Sequence, residues 1–259
     1  MSHRARLLRS LAVVGVAALA SLTSHGTASA EDSSARALMR RVFDQVKVSF
    51  IAKMKLSSPD GLEQTLEVRH KQFPKANATY MEVTEPYHMK DTRFLSWDRE
   101  GSADEHYTYV PMVKRSLQVA DWTLKQSFLG STFYMVDIAV PDMEDYEYAF
   151  NGSAEVAGTT CKGVEGTPKE VEDEPYSRIV YCVDEDKLLS IHTEFFDPAG
   201  ALLKVWRPDK LEQIDGIWTP TQQTMTDVQA EAESHLEIVE IKMHADTPDK
   251  IFRKAYLDR

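Results

Sequence analysis

The segment LLSIHTEFFDPAGALLKVW, residues 188–206, contains two strand-like runs joined by a short turn. The runs Leu188–Phe196 and Leu202–Trp206 are rich in aromatic, β-branched and other apolar residues, which are typical of strands. Between them, Asp197-Pro198-Ala199-Gly200 has the composition of a turn, because proline presets a turn dihedral angle and glycine tolerates positive φ. The segment therefore predicts an antiparallel β-hairpin.

The same alternation of strand-like runs and turns recurs along most of the chain. Further runs occur at residues 62–69, Thr79–Val83, Arg93–Trp97, His106–Val110, Ser177–Val183, Trp218–Thr226 and His235–Met243. Ser58-Pro59-Asp60-Gly61 and Asp215-Gly216 supply two more turns between runs. Hairpins that follow one another without intervening helices predict one antiparallel sheet, strongly curved or partly closed. Residues 111–142 interrupt this rhythm, and longer loops with one or two short helices are expected there.

The first part of the chain has the features of a secretory signal peptide. Arg4, Arg6 and Arg9 precede the apolar run Leu11–Ala20, and Ala28-Ser29-Ala30 forms a small-x-small cleavage pattern. The apolar run is shorter than the roughly 20 residues that span a bilayer. We therefore expect residues 1–30 to be cleaved and residues 31–259 to form a single exported domain, with a retained N-terminal anchor as the alternative.

An amphipathic helix is expected to open the mature chain. Leu38, Val42 and Val46 recur at intervals of four residues, and Ser33 or Ser34 could cap the helix.

The charge balance of the chain excludes some partners. The formal net charge is −11, and removal of the three leader arginines makes the remainder more acidic. Phosphates would repel such a body, so nucleic acid is not an expected partner. The total charge also argues against attachment by charge to an anionic lipid surface. A monomer is expected.

The two cysteines, Cys161 and Cys182, both lie in the expected exported part. Export into an oxidising compartment predicts a disulfide between them. Two free buried thiols are the alternative, whereas a redox-active pair is less expected because the chain has no C-x-x-C motif.

Motifs of known catalytic centres are missing from the sequence. It has no G-x-S-x-G, P-loop, G-x-G-x-x-G or H-E-x-x-H motif. The histidines after the leader are scattered without metal-ligand spacing, at His70, His88, His106, His192, His235 and His244. Two acidic groups, at Asp142, Glu144 and Asp145 and at Glu170, Glu172, Asp173 and Glu174, are interpreted as solvated turns. We therefore expect no enzyme, no metal and no cofactor, with an envelope hydrolase as the least favoured alternative.

Seven segments, taken in order, carry a family resemblance. They are KDTRFLSW (90–97), YTYVPMVKR (107–115), SFLGSTF (127–133), YCVD (181–184), FFD (195–197), DGIWTPT (215–221) and AYLDR (255–259). In order and spacing they resemble the LolA-like family of periplasmic proteins, named for outer-membrane lipoprotein sorting, in a divergent branch with a treponemal member. The resemblance covers about residues 35–259. The chain departs from the family pattern where Tyr134-Met135-Val136 precede Asp137.

The resemblance implies a mainly β fold, an incomplete antiparallel β-barrel of the LolA/LolB type. It also implies an N-terminal helix and short helices over the open side, and an apolar cavity that takes up acyl chains. Candidate lining residues, each of which taken singly is better explained as packed core, are Phe94, Trp97, Tyr109, Met112, Phe128, Phe133, Met135, Ile191, Phe195, Trp206, Trp218 and Met225. Lys114 and Arg115 are candidates for contact with an anionic headgroup or an acidic partner, or are a plain surface pair.

Two hypotheses for function follow from the resemblance. The first is a soluble periplasmic carrier that binds lipoprotein acyl chains or another lipid and moves it toward the outer membrane. The second is a lipid-sensing or regulatory module on the same fold. Partners implied are an inner-membrane exporter of the resistance-nodulation-division (RND) type or an outer-membrane acceptor.

Overall fold

The computed structural model describes residues 28–99, 104–119, 125–138, 143–170 and 174–259. Residues 1–27 of the predicted signal peptide lie outside the described residues, as do Asp142, Glu172 and Asp173. Within the described ranges, no helix is long and apolar enough to cross a bilayer.

The described residues form thirteen strands and three α-helices. The strands are β1 Phe50–Ser57, β2 Glu63–Phe73, β3 Ala76–Glu85, β4 Arg93–Arg99, β5 Glu105–Val110, β6 Arg115–Gln118, β7 Tyr146–Val156, β8 Thr159–Pro168, β9 Arg178–Asp184, β10 Leu189–Phe196, β11 Leu202–Ile214, β12 Ile217–Asp227 and β13 Ala232–Met243. The helices are α1 Ala28–Gln45, α2 Met135–Ile138 and α3 Lys254–Leu257.

All thirteen strands belong to one antiparallel sheet that does not close on itself. Its order is β6-β5-β4-β3-β2-β1-β13-β12-β11-β10-β9-β8-β7, so β6 and β7 form the two edges. Neighbours in the sheet are neighbours in the chain except where β1 pairs with β13. The predicted antiparallel sheet of successive hairpins is therefore confirmed.

The three predicted turns lie between strands, as their composition indicated. Gly61 and Gly200 both have a φ of +84° and end the turns before β2 and β11. Asp215 and Gly216, between β11 and β12, have φ values of 49° and 85°. Two consecutive residues with positive φ are the geometry of a tight hairpin turn.

The sequence did not predict the hairpin formed by β7 and β8. These strands contain three glycines, Asn151 and Pro168, so their local preference for strand structure is weak. The pairing is interrupted by a bulge between Phe150 and Ser153. Gly163 lies against this bulge, where a Cβ would be 2.6 Å from the carbonyl oxygen of Asn151. Pairing with β9 and cover by α1 override the weak local preference.

Helix α1 covers one part of the sheet's inner face. Leu38, Met39 and Val42 are buried against β7, β8 and β9, in a cluster that includes Tyr148 and Val164. The expected cap at Ser33 or Ser34 is wrong, because the helix already begins at Ala28.

The C-terminal segment covers part of the outer face. Phe252 and Leu257 are buried against Tyr80 and Leu95 of β3 and β4. Arg93 holds the end of the segment, since its Nη1 donates to the carbonyl oxygen of Leu257 at 2.8 Å. The two faces of β3 and β4 therefore contact different parts of the chain.

Cys161 of β8 and Cys182 of β9 form the predicted disulfide, with their Cα atoms 5.3 Å apart. The bond joins adjacent strands and closes a loop with a sequence separation of 21. In the chain-entropy model such a loop contributes about 3 kcal/mol to stability.

His70 of β2 is expected to make stability depend on pH. Its ring stacks on Phe50, and its Nδ1 lies 2.9 Å from the hydroxyl of Thr79. Burial lowers the pKa of His70 to about 4, whereas histidine in an unfolded chain titrates near 6.5. The unfolded state therefore takes up the proton first as the pH falls. The free energy of unfolding should drop by about 2–3 kcal/mol between about pH 6.5 and about pH 4.

Urea unfolding of the parent protein and of His70→Gln, measured across this pH range, checks the expectation. The variant should lack this component of the pH dependence, and His88→Gln, at an exposed histidine, should keep it. Equal pH dependence in all three proteins would show that His70 does not cause it.

Candidate functional site

The segment 125–138, here called the strap, crosses the inner face of the sheet. It contains a 3-10 turn at Phe128–Gly130 and the short helix α2. The amide of Phe128 donates to the carbonyl oxygen of Phe133 at 2.7 Å, which folds the strap into a loop. Leu129 and Gly130 have positive φ values of 53° and 78°, so the loop reverses direction sharply there.

Two phenylalanines of the strap fill the interior above the sheet. Phe128 and Phe133 are each 2% exposed. The ring of Phe128 lies 5.2 Å from that of Phe94 on β4, centroid to centroid. The other buried members of this cluster are Ala52, Leu56, Leu66, Val68, Met81, Val83, Met225 and Leu236. The strap therefore occupies an apolar surface formed by β1–β4, β12 and β13, here called the inner core.

Hydrogen bonds join the strap to three strands. The side-chain amide of Gln64 on β2 donates to the carbonyl oxygen of Leu129 at 3.0 Å. The backbone amide of Thr132 donates to the hydroxyl of Ser234 on β13 at 3.0 Å. The hydroxyl of Thr132 donates to the carbonyl oxygen of Met225 on β12 at 2.7 Å. These bonds tie the strap to the inner face of the sheet.

A buried ion pair holds the C-terminal half of the strap. The Nζ of Lys204 on β11 lies 3.1 Å from Oδ2 of Asp137, and the two side chains are 0% and 2% exposed. The Tyr176 hydroxyl donates to Oδ1 of Asp137 at 2.6 Å, and the Tyr134 amide donates to Oδ2 at 2.7 Å. The Lys204 ammonium group also lies over the Tyr134 ring. The carboxylate is thus fully engaged in an apolar setting.

This setting changes the pKa values of the groups around Asp137. Burial lowers the pKa of Lys204 to about 8, and the attraction of Asp137 offsets only part of that effect. Burial also raises the pKa of Tyr176 well above its usual range, so the phenol keeps its proton and donates a hydrogen bond to Asp137.

The structure brings seven of the twelve candidate lining residues together. Phe94, Phe128, Phe133 and Met225 are buried in the inner core, and Met135, Phe195 and Trp206 pack against it. These residues come from the strap and from four strands, so only the folded chain makes them neighbours.

The structure does not place the other five candidates in this group. Trp97 and Tyr109 lie on the outer face, where the indole N–H of Trp97 donates to the carbonyl oxygen of Phe252 at 2.9 Å. Strand geometry explains this placement, because Phe94 and Trp97 are an odd number of residues apart on β4 and so face opposite sides. Met112 is 93% exposed in the turn after β5. Ile191 and Trp218 are partly buried and belong to none of the three apolar clusters among the described residues.

The polar group around Asp137 was not predicted from the sequence. Lys204 was included in a strand-like run, where a lysine is usually solvent-exposed. A signal was available, since Lys204 is two residues from Trp206 and therefore faces the same side of β11. Nothing local indicated its partner, which is 67 residues away in the chain.

Two clefts on the surface of the described part of the chain are polar. One, of about 340 Å³, has lining residues that include Lys55, Arg207, Asp209 and His235. The other, of about 260 Å³, lies beside Cys161 and includes Asp184. Among the described residues, no three His, Cys, Asp or Glu side chains converge as a metal ion requires.

A family model described as "-like: Uncharacterized protein" matches residues 75–259. No curated protein matches the chain.

Three solved structures share the fold over nearly their whole length. One is named as an outer membrane lipoprotein-sorting protein domain from Vibrio parahaemolyticus, with a TM-score of 0.82 and 19% identity, covering 88% of this chain and 100% of that one. A DUF1329 family protein from Desulfovibrio piger has a TM-score of 0.81 and 23% identity, with coverage of 88% and 99%. A LolA superfamily protein from Nitrosomonas europaea has a TM-score of 0.66 and 21% identity, with coverage of 86% and 98%. These likenesses concern the fold, and they confirm the predicted incomplete barrel.

Proposed function

Because this chain belongs to a divergent LolA-like family, we propose that it is a periplasmic carrier for acyl chains. In this proposal the inner core binds the hydrocarbon of a lipoprotein or another lipid. The protein then moves that cargo toward the outer membrane.

The observation that carries the proposal is the cover over the inner core. The apolar side chains of the sheet are shielded from water by the short strap, which contacts them through Phe128 and Phe133. A hydrocarbon chain could replace Phe128 and Phe133 on the same surface. Moving the strap aside would then expose an apolar groove while the sheet stays folded.

The energies of this exchange favour a long acyl chain. Two buried phenylalanines correspond to about 3–6 kcal/mol of transfer free energy. A chain of about 15 methylenes corresponds to roughly 12 kcal/mol at about 0.8 kcal/mol for each methylene. Each hydrogen bond lost by the strap costs about 1 kcal/mol net. Hydrocarbon can therefore compensate for displacement of the strap.

A second candidate function is a lipid sensor that works with a membrane partner such as an RND-type exporter. The buried Lys204–Asp137 pair favours this candidate, because a contact that either forms or breaks as a unit would give the strap two distinct arrangements. A carrier delivers lipid, whereas a sensor binds lipid and reports its presence to its partner.

Lipid transfer separates the two candidates. The protein is purified from the periplasm without detergent, and its bound lipid is extracted and identified by mass spectrometry. It is then mixed with donor vesicles that contain a labelled lipid and with unlabelled acceptor vesicles. A carrier should bring stoichiometric lipid through purification and speed the appearance of label in acceptors. Bound lipid without net transfer would favour the sensor, and protein free of lipid that also fails to bind fatty-acid probes would exclude both.

Two tryptophans on opposite faces provide a matched test of where lipid binds. Trp206 packs against the inner core and donates to Gln223, while Trp97 lies on the outer face and donates to the Phe252 carbonyl. Trp206→Ala should weaken binding of a fluorescent fatty-acid probe about tenfold, the equivalent of about two methylene contacts. Trp97→Ala should change the affinity less than about twofold. Titration of both variants checks this, and an equal loss in both would contradict binding on the inner face.

A further inference from the structure

We propose that two neighbouring hairpin tips form a surface that docks on an anionic phospholipid bilayer. The tips are residues 86–92, between β3 and β4, and residues 111–117, which include the turn after β5 and most of β6. We call them together the basic corner. Docking there is a separate property from lipid binding in the inner core.

Apolar exposure is concentrated at the basic corner. Tyr87 is 92% exposed, Met112 93%, Val113 54% and Leu117 40%. The two other large apolar side chains exposed among the described residues are Val228 and Val239, at 41% and 44%. Val228 lies in the turn between β12 and β13 and Val239 lies in β13, which β1, β2 and β3 separate from β4 in the sheet order. Clustered apolar exposure of this kind marks interaction surfaces, whereas single exposed residues do not.

The two tips lie side by side at one end of the sheet. Arg93, the first residue of β4, pairs with Tyr109 near the end of β5. The turns that precede β4 and follow β5 are therefore adjacent. Both are internally bonded, since Asp91 donates its amide to Val83 at 2.9 Å and Lys114 donates to Val110 at 3.0 Å. The exposed side chains thus project from ordered turns.

Positive charge accompanies the apolar side chains. Lys90, Lys114 and Arg115 are exposed in the two tips. The nearby acids have local contacts, because Asp91 lies 4.0 Å from Arg93 and Asp258 accepts from the amide of Ser116 at 2.6 Å. The net charge of −11 argues against general attachment to an anionic surface. The net charge is a sum over the whole chain and does not describe this corner, because charges farther away than about one Debye length are largely screened.

The chemistry of the corner fits a bilayer better than a protein partner. Apolar side chains that enter the headgroup region beside lysine and arginine are the usual combination for interfacial binding. A stable protein interface buries about 1,600 Å² of well-packed surface. Two narrow tips that point outward suit insertion better than such packing.

The corner is also continuous with the inner core. Met89 lies in the same turn as Tyr87 and packs against the cluster that contains Phe94 and Phe128. A molecule docked by this corner would hold one end of its apolar interior next to the bilayer.

Vesicle flotation with the processed protein tests the proposal. One set of vesicles contains equal parts of phosphatidylglycerol and phosphatidylethanolamine, and the other contains phosphatidylcholine alone. The parent protein should float with the anionic vesicles. Met112→Ser with Val113→Ser should reduce the partition coefficient about tenfold or more, and Lys114→Gln with Arg115→Gln should reduce it by a similar factor.

Matched variants distinguish the corner from general stickiness. Val228→Ser with Val239→Ser removes comparable apolar exposure elsewhere, and Lys210→Gln removes an exposed charge from another strand. Both should float like the parent protein, and any uncleaved leader would affect all proteins equally. Circular dichroism confirms folding of each variant.

The proposal is overturned if the parent protein ignores anionic vesicles, if it binds both vesicle types equally, or if the corner variants float like their controls. If the corner docks on a protein partner and not on a bilayer, the parent protein would ignore the anionic vesicles.

Discussion

Asp137→Ala is expected to lower the free energy of unfolding by about 3–5 kcal/mol, because it leaves Lys204 buried without its carboxylate. The lysine side chain is 0% exposed, so water cannot replace the lost partner without rearrangement. Tyr176 and the backbone amide of Tyr134 would lose their acceptor in the same substitution. Urea unfolding followed by circular dichroism measures the effect.

An exposed ion pair provides the control for this experiment. Lys210 and Glu212 are joined at 3.1 Å, but their side chains are 54% and 47% exposed. Lys210→Ala should therefore cost less than about 1 kcal/mol. If Asp137→Ala costs no more than Lys210→Ala, the ion pair does not hold the strap.

Locking the strap shut is expected to abolish lipid uptake. The backbone amide of Thr132 lies 3.0 Å from the hydroxyl of Ser234, and both residues are buried. The paired substitutions Thr132→Cys and Ser234→Cys would allow a disulfide between the strap and β13. If hydrocarbon binds only after the strap moves, the oxidised variant should bind a fluorescent fatty-acid probe at least about a hundredfold more weakly than the parent.

Reduction provides the internal control for the locked variant. A mild reductant should restore probe binding in the variant, and the parent protein under the same conditions corrects for loss of the Cys161–Cys182 bond. Mass measurement establishes that the new disulfide has formed. Undiminished binding by the fully oxidised variant would show that lipid enters without displacement of the strap.

Architecture was the part of this protein most accessible to sequence analysis. Turn residues and alternating runs predicted nine strands and three turns that the structure contains, because these signals act between near neighbours in the chain. The β7–β8 hairpin was not predicted, because it depends on interactions with distant parts of the chain. Its strands have weak local preference and are stabilised by the partners on either side of them.

The candidate site was predicted only as a group of apolar residue types. The structure assembles Phe94, Phe128 and Met225 on the inner face, and their contact with lipid is what the tryptophan and strap variants test. Trp97 could have been assigned to the outer face from strand periodicity alone. The basic corner was partly predicted from the sequence, because Lys114 and Arg115 were candidates for contact with a headgroup or partner. The position of Tyr87 beside them follows only from the pairing of β4 with β5.

The sequence by itself determined the class of fold, an antiparallel sheet of consecutive hairpins, and it identified the two cysteines that form the disulfide. The tertiary structure alone decided that the strap fills the interior and that Lys204 faces Asp137 and not water. The physical reason is the range of the interactions. Strand alternation and turn geometry depend on residues a few positions apart, whereas the burial of a charge is stabilised by a partner 67 residues away, which only the folded chain brings within reach.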